Sequence, residues 1–321
     1  MSNSDAKLIS IVVPILNERG NLESVCARVE EVMSGDGCHY EFEILFTDNH
    51  SSDGSFEELL RLSKTRPNIR ALRFSRNVGY QRSILTGLLS ARGDAAIQLD
   101  ADLEDPPELI PLFLREWERG AKVVYGVRER RQEGAFRTFM RKSFYRILKK
   151  ASNDEIPVDA GDFRLVDRLV IEQLARVKDQ KPYLRGIIAA FGFDQVGISY
   201  ERSERQWGES KFPYRAMIGL AMDGILNHSD IPLKLATRIG IFVSFCSFIM
   251  GVFYLVGKLA FQKQWAAGFA TTTILILLSL GIISLLLGII GEYLSRIHAV
   301  VRGYPTVVVE KEISPCKPPG E

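Results

Sequence analysis

Residues 8–18 read LISIVVPILNE, a nearly unbroken apolar run that closes on a proline and then on Asn17 and Glu18. Leu, Ile and Val interrupted only by Ser10 give no one-sided alternation, so residues 8–13 read as a strand buried on both faces. Such strands belong to parallel sheets covered by helices, and the downstream sequence repeats the unit. Residues 43–47, 69–74 and 95–99 are further β-rich runs. Between them, residues 21–33 place Leu22, Val25, Val29 and Met33 three or four apart, which predicts a helix with one apolar stripe. Ser55 and Glu58 have the spacing of a capping box at the start of a second helix, and residues 80–90 read as a third. The expected fold class is α/β with a parallel sheet.

In an open parallel sheet, ligands collect beyond the carboxyl ends of the strands. The first strand ends in Pro14-Ile15-Leu16-Asn17-Glu18, the second in DNHSSDG (48–54), and the fourth in Asp100-Ala101-Asp102. A dehydrogenase would need Gly-x-Gly-x-x-Gly after the first strand, and that turn is absent.

The chain has 321 residues, 46% hydrophobic and 25% charged, which suffices for one large domain and something more. A net charge of +2 gives no global field for nucleic acid. Cys26, Cys38, Cys246 and Cys316 have no Cys-x-x-Cys spacing, and the four histidines have no ligand spacing, so neither a zinc site nor a disulfide framework is expected. MSNSDAKLIS carries no apolar stretch of signal-peptide length. Hydrophobicity concentrates late in the chain. Residues 239–257 and 265–291 are free of charge for 19 and 27 residues, each long enough to cross a hydrocarbon core of about 30 Å. These runs predict a soluble domain over 1–233, two transmembrane helices at about 239–261 and 265–291 within 234–298, and a tail over 299–321. The short turn between the spans returns the chain to its starting side. Lys234, Arg238, Arg296 and Arg302 favour a cytoplasmic location for that side, and Lys258 and Lys263 in the turn weaken the bias.

Asp100 and Asp102, in QLDADLEDPPEL, are the sharpest chemical feature. Two carboxylates two residues apart at a strand end can meet one Mg²⁺ or Mn²⁺ directly or through water, since hard cations favour oxygen ligands. Such an ion would bridge a diphosphate and stabilise a leaving nucleotide. Arg128 and Arg131 follow the strand-like VVYGV, while Arg202, Arg205 and Lys211 surround Gly208, and guanidinium groups suit phosphate recognition. FRTFMRKSFYRILKK (136–150) has an apolar side and six basic residues, fitting either an anionic membrane surface or packing on the sheet. Residues 214–226 are a second amphipathic stretch.

Taken together, IVVPILNE (11–18), TDNHSSDGS (47–55), SRNVG (75–79), DADLEDPP (100–107), GDFRL (161–165) and RQWGESKF (205–212) resemble the family 2 glycosyltransferases. The order of motifs, followed by a membrane hairpin and GEYLSRI (291–297), is similar to the polyprenyl-phosphate glycosyltransferases, the group of dolichol-phosphate mannose synthase and the bacterial lipid-phosphate glucosyltransferases. The resemblance implies a GT-A fold, inversion at the anomeric carbon and a divalent cation, Mg²⁺ or Mn²⁺. It puts Pro14, Asn17, Glu18, Asp48 and Asp100 around the nucleotide sugar, Asp100 and Asp102 at the metal, and Asp162 near the acceptor as a second catalytic carboxylate beside Asp102. Arg128, Arg131, Arg202, Arg205 and Lys211 become the expected acceptor-phosphate residues. The sequence departs from the usual aspartate pair at Asp48-Asn49, which puts the contacts of the second carboxylate in doubt.

The expected activity is inverting transfer of one sugar, with UDP-glucose the favoured donor, onto a polyprenyl phosphate at the cytoplasmic face of the inner or cell membrane by a multi-pass protein. A homo-oligomer, with a tetramer among the options, is implied by resemblance only. One rival is a polysaccharide-extending enzyme, against which stand two spans and the absence of Gln-x-x-Arg-Trp. Another is a non-catalytic membrane scaffold, against which stands the retention of both Asp100 and Asp102.

Overall fold

A computed structural model describes residues 7–35, 39–128, 160–177, 179, 182–201 and 269–314, with part of the stretch 238–249. The elements follow in the order β1 (Leu8–Ile15), α1 (Leu22–Met33), β2 (Glu41–Asp48), α2 (Ser55–Leu62), β3 (Ile69–Phe74), α3 (Tyr80–Ser90) and β4 (Ala95–Gln98). After a single 3₁₀ turn come α4 (Ile110–Glu118), β5 (Val123–Arg128), β6 (Ala160–Asp167), α5 (Arg168–Leu174), α6 (Leu184–Ala190) and β7 (Gln195–Tyr200). A long helix, α7 (Phe269–Arg302), and a last strand, β8 (Val309–Ile313), complete the described chain.

Eight strands form one sheet in the order β7-β5-β6-β4-β1-β2-β3-β8. β1 is parallel to β2 and β4, and β2 to β3, as the repeated strand-helix pattern requires. The sheet as a whole is mixed rather than parallel. β6 runs antiparallel to both β4 and β5, and β8 antiparallel to β3. Periodicity reveals that a segment is a strand but not its direction, so β6 and β8 could not be oriented from the sequence.

The strands bury both faces. Ile9, Ile11, Val13 and Ile15 join one core layer with the apolar stripes of α1, α2 and α4, while Val12 and Leu45 join another with α3, α5 and α6. Gly87 lets α3 lie close on β1, because a β-carbon there would stand 2.3 Å from a Val12 methyl. The expected capping box of α2 does not form. Its N-cap is Gly54, and Ser55 instead donates its hydroxyl to Asp53 Oδ1 at 2.5 Å and accepts from the Glu18 amide at 3.1 Å. A tertiary contact to the β1 loop has taken the hydroxyl that a local cap would use.

The chain divides into two compact units, residues 1–221 with 305–321, and residues 222–304. In the second, α7 holds the apolar window Leu278–Ser295, long and apolar enough to cross a membrane and with none of it buried. The predicted span ends at residue 291, yet the helix continues to Arg302 and stops before Gly303, which has φ of 64°. Charge limits a membrane span, whereas a helix ends where its last carbonyls are capped and a left-handed residue fits. At about 1.5 Å per residue, 34 residues measure about 51 Å, well beyond an apolar core. Most of the other predicted span, and both amphipathic stretches at 136–150 and 214–226, lie outside the described residues. Part of the segment expected as a tail returns as β8, pairing Ile313 with Ala71 and Val309 with Phe74.

Candidate active site

β1 is flanked by β2 on one side and β4 on the other, so successive strands leave it in opposite directions. Its register with β4 ends at Val12↔Gln98 while that with β2 runs on to Ile15↔Asp48. A crevice therefore opens at the carboxyl end of β1, the topological switch point where open α/β sheets bind ligands. Pro14 is buried on its edge. Backbone strain gathers at the same rim. Among the described residues, the three non-glycine positions with positive φ are Asn17 at 56°, His50 at 65° and Leu103 at 54°, each in a loop leaving β1, β2 or β4. Leu103 has no polar side chain to ease that conformation, so tertiary packing must impose it.

The β1 and β2 loops are sewn together by the residues that sequence placed at the nucleotide. Asn17 Oδ1 accepts the Ser52 amide at 2.8 Å, the Asn17 amide donates to Ser51 Oγ at 2.9 Å, and the Arg19 amide donates to Asp53 Oδ2 at 3.1 Å. Glu18 accepts from Asn21 Nδ2 at 2.7 Å. Asn17 and Glu18 thus shape the rim through internal bonds. Asp48 differs. It is fully buried, its Oδ1 accepts the Ser51 amide at 2.9 Å, and its Oδ2 has no hydrogen-bond partner, with an Arg73 nitrogen 3.5 Å away. A buried carboxylate oxygen without a donor is costly and marks a place for one. At Asn49, where the family usually has a second aspartate, the side-chain oxygen accepts the Val78 amide at 2.7 Å. Asparagine there secures the loop after β3.

Across the crevice, β4 delivers Asp100 and its loop delivers Asp102. Tyr80 donates its hydroxyl to Asp100 Oδ1 at 2.6 Å, and Gln98 donates Nε2 to the same oxygen at 3.0 Å. Asp102 Oδ1 accepts the Glu104 amide at 3.2 Å. Asp105 is fully buried and accepts the Tyr200 hydroxyl, tying this loop to the end of β7. The antiparallel register of β4 and β6 pairs Gln98 with Arg164, so continuing it by two residues sets Asp100 opposite Asp162. Four aspartates therefore share one region.

Asp100 is half-buried. Burial, then the neighbouring Asp105 charge, with Asp102 and Asp162 adding to it, push its carboxyl up to about 7 against the pull of the Tyr80 hydrogen bond. Tyr80 itself is pushed well above its ordinary value by burial and by Asp100. Arg164, also buried, is lowered to about 10 by desolvation in spite of Asp162 nearby. Among the described residues, no three carboxylates, histidines or cysteines converge as a complete metal cage. The arrangement does fit a cation that completes its shell from a substrate. Crowding raises the proton affinity of Asp100, so positive charge is favoured there, and magnesium-like ions are commonly held by one or two carboxylates together with substrate phosphates.

Of the carboxylates singled out in the sequence, Asp100, Asp102 and Asp162 lie close enough for their charges to act on one another, and Asp48 stands at the end of β2. Sequence reasoning missed Tyr80 and Gln98, which hold Asp100, Arg185 and Arg164, which face Asp162, and Asp105, whose charge acts on Asp100 and which Tyr200 holds. Gln98 and Asp105 stood inside the quoted QLDADLEDPPEL; Tyr80, Arg185 and Tyr200 carry no local signal. Arg128 ends β5 in register with Tyr200, and its side chain lies outside the described residues, as do Arg131, Arg202, Arg205 and Lys211.

The profile of Glycosyl transferase family 2 matches residues 10–175. An uncharacterized glycosyltransferase of Bacillus subtilis, YkcC, is 40% identical over 94% of this chain and 93% of its own. The SfII prophage-derived bactoprenol glucosyl transferase of Shigella flexneri is 33% identical over 94% of this chain and 97% of its own. Mannosyl-3-phosphoglycerate synthase from Rubrobacter xylanophilus shares the fold at a TM-score of 0.50 and 14% identity, over 72% of this chain and 75% of that structure. With that profile spanning residues 10–175 and relatives 33% and 40% identical over 94% of its length, the chain belongs to Glycosyl transferase family 2.

Proposed function

We propose that the protein transfers one sugar, with inversion, from a nucleotide donor, UDP-glucose by preference, to a polyprenyl phosphate at the cytoplasmic face of the membrane. The observation that carries this reading is the length of the likeness. Similarity to bactoprenol glucosyl transferases covers 94% of the chain, running through the acidic crevice and the long apolar α7 alike. Asp48 would receive donor hydrogen bonds from the nucleotide on the β2 side of the crevice. Asp100 and Asp102 would hold Mg²⁺ or Mn²⁺, which when bound supplies positive charge to the departing diphosphate. Tyr80 and Gln98 fix Asp100 through one oxygen.

In the reaction an oxygen of the lipid phosphate attacks the anomeric carbon from the face opposite the diphosphate, a carbon–oxygen bond forms as the bond to the nucleotide breaks, and the nucleoside diphosphate leaves. A phosphate monoester is largely ionised near neutrality, so no strong base is needed. Asp162, beside Asp100 on the neighbouring strand, orients the incoming acceptor. Arg128, Arg131, Arg202, Arg205 and Lys211 are the proposed phosphate partners, and loss of Arg202 or Arg205 should cost about one to two decades in lipid use. The protein is proposed to be multi-pass and homo-oligomeric.

The test is incubation of the purified chain with a panel of nucleotide sugars, Mg²⁺ or Mn²⁺ and a polyprenyl phosphate, with the glycolipid identified by mass. A product heavier by one sugar is expected. A ladder of sugars would favour the polysaccharide-extending enzyme, and no product with any donor would favour a scaffold.

A further inference from the structure

Both oxygens of Asp162 are gripped by one guanidinium. Arg185 brings Nε to Oδ1 at 2.8 Å and a terminal nitrogen to Oδ2 at 2.7 Å. Two parallel bonds of this kind fix the plane of a carboxylate as well as its position. Arg164, on the same strand as Asp162, spends a terminal nitrogen on the Gly161 carbonyl at 3.0 Å and stands 3.9 Å from Asp162, so it adds charge without a fork.

Arg185 belongs to the first turn of α6, and that turn is anchored in its turn. Leu184 donates its backbone N–H to Gln81 Oε1 at 3.2 Å, while Leu184, Ile187 and Ile188 are buried in the layer shared with α3 and α5. Gln81 is the neighbour of Tyr80, which holds Asp100. One helix start therefore governs two carboxylates: Tyr80 holds Asp100 directly, and Gln81 holds the turn that holds Asp162.

We infer that Arg185 is a positioning residue for sugar transfer, fixing the Asp162 carboxylate against Asp100 by way of the first turn of α3; the inference rests on the glycosyl-transfer reading above. Without Arg185, Asp162 would face Asp100, Asp102 and Asp105 with less opposing charge, and repulsion would turn it away from the crevice. Small misplacements of a reacting group cost much in turnover and little in ground-state binding. The nucleotide is expected on the Asp48 side, so its affinity should not depend on this grip.

The test is a double-mutant cycle on the full chain in detergent, with Arg185→Ala, Arg185→Lys, Asp162→Asn and the pair Asp162→Asn with Arg185→Ala. Transfer from UDP-glucose to polyprenyl phosphate is followed together with UDP affinity and Tm. Arg185→Ala is expected to lower kcat by about 30- to 100-fold, with UDP affinity within about threefold. Arg185→Lys should recover part, restoring charge without the fork. In the Asp162→Asn background, Arg185→Ala should add less than about threefold, because the interaction it removes is already gone. Wild-type kcat in Arg185→Ala overturns the proposal. So does an undiminished cost on top of Asp162→Asn, which would set Arg185 on the substrate by itself. A loss confined to UDP affinity or Tm also overturns it. If the alanine variant fails to fold, the lysine variant carries the same cycle at smaller amplitude. If the wild type makes no glycolipid, the lipid-acceptor reading fails, and the cycle is then read on hydrolysis of the nucleotide sugar, where additivity defeats the Arg185 proposal separately. Neither transfer nor hydrolysis would defeat both.

Discussion

Strand β2 buries a carboxylate near each end, and the two ends treat it in opposite ways. Glu43 and Asp48 lie five residues apart, roughly 16 Å along the strand. At the first, the chain gives both carboxylate oxygens donors of its own, although Arg70 Nε there is left without an acceptor. Glu43 Oε1 accepts from Ser10 Oγ at 2.5 Å and from the Arg92 amide at 2.8 Å, while Oε2 accepts from Arg70 at 2.9 Å. Burial opposes ionisation, yet these donors hold the Glu43 carboxyl below its ordinary value. At the second end, Asp48 Oδ2 has an Arg73 nitrogen at 3.5 Å but no hydrogen-bond donor, and across the crevice Asp100 is pushed the other way, to about 7, by burial and by its acidic neighbours. Buried charge that the protein satisfies internally belongs to the fold, and buried charge left short belongs to a ligand.

That contrast is broken most severely by removing charge from the acidic end. Asp100→Asn and Asp102→Asn should each lower transfer at least a thousandfold, more than about 4 kcal/mol in barrier, while Tm holds steady or rises as repulsion is relieved. A matching loss of Tm would show that these residues support the fold. Removing charge from the other end should do the reverse. Glu43→Ala is expected to cost about 3 kcal/mol of stability, at the low end for a broken buried ion pair because Arg70 keeps Glu312 at 3.5 Å. UDP affinity per folded molecule should not change, and a fall in that affinity with intact stability would contradict the structural role.

An effect spread over several pH units, and smaller within any one of them, follows from the proton on Asp100. Its folded carboxyl titrates near 7 and an unfolded aspartate near about 4, so the folded state binds the extra proton between them. The stabilisation from that proton is full below about pH 4 and is lost as pH rises through 7, by at most about 1.4 kcal/mol per pH unit. Chemical denaturation in chelator at several pH values should show this slope, and it should vanish in Asp100→Asn. Excess Mn²⁺ should flatten it, since metal binding displaces the proton. A slope that persists in Asp100→Asn assigns it elsewhere. The smallest effect expected is that of Tyr200→Phe, which removes the hydroxyl from buried Asp105. About 1 kcal/mol of stability should be lost, measurable as a shift in denaturation midpoint with m unchanged.

Legibility differed between the strands and their supports. β3 fell at residues 69–74 as expected because a buried strand is written in consecutive apolar residues. β6 was legible only as the GDFRL motif and not as a strand, so nothing showed that Asp162 would stand opposite Asp100 in the continued register. The Ser55–Glu58 pair misled, since a hydroxyl that can cap a helix can equally bridge Asp53 and the Glu18 amide.

The sequence by itself determined where Asp48, Asp100 and Asp102 stand, because they follow apolar runs and strand ends are legible from hydrophobic pattern. It also determined the apolar character of α7, which depends on composition alone. Only the tertiary structure decided how each charge is held. Tyr80 reaches Asp100 from 20 residues away and Arg185 reaches Asp162 from 23, while Tyr200 meets Asp105 across 95. Hydrogen bonds between residues so far apart leave no period in the chain, and they exist only once the sheet has set its order and direction.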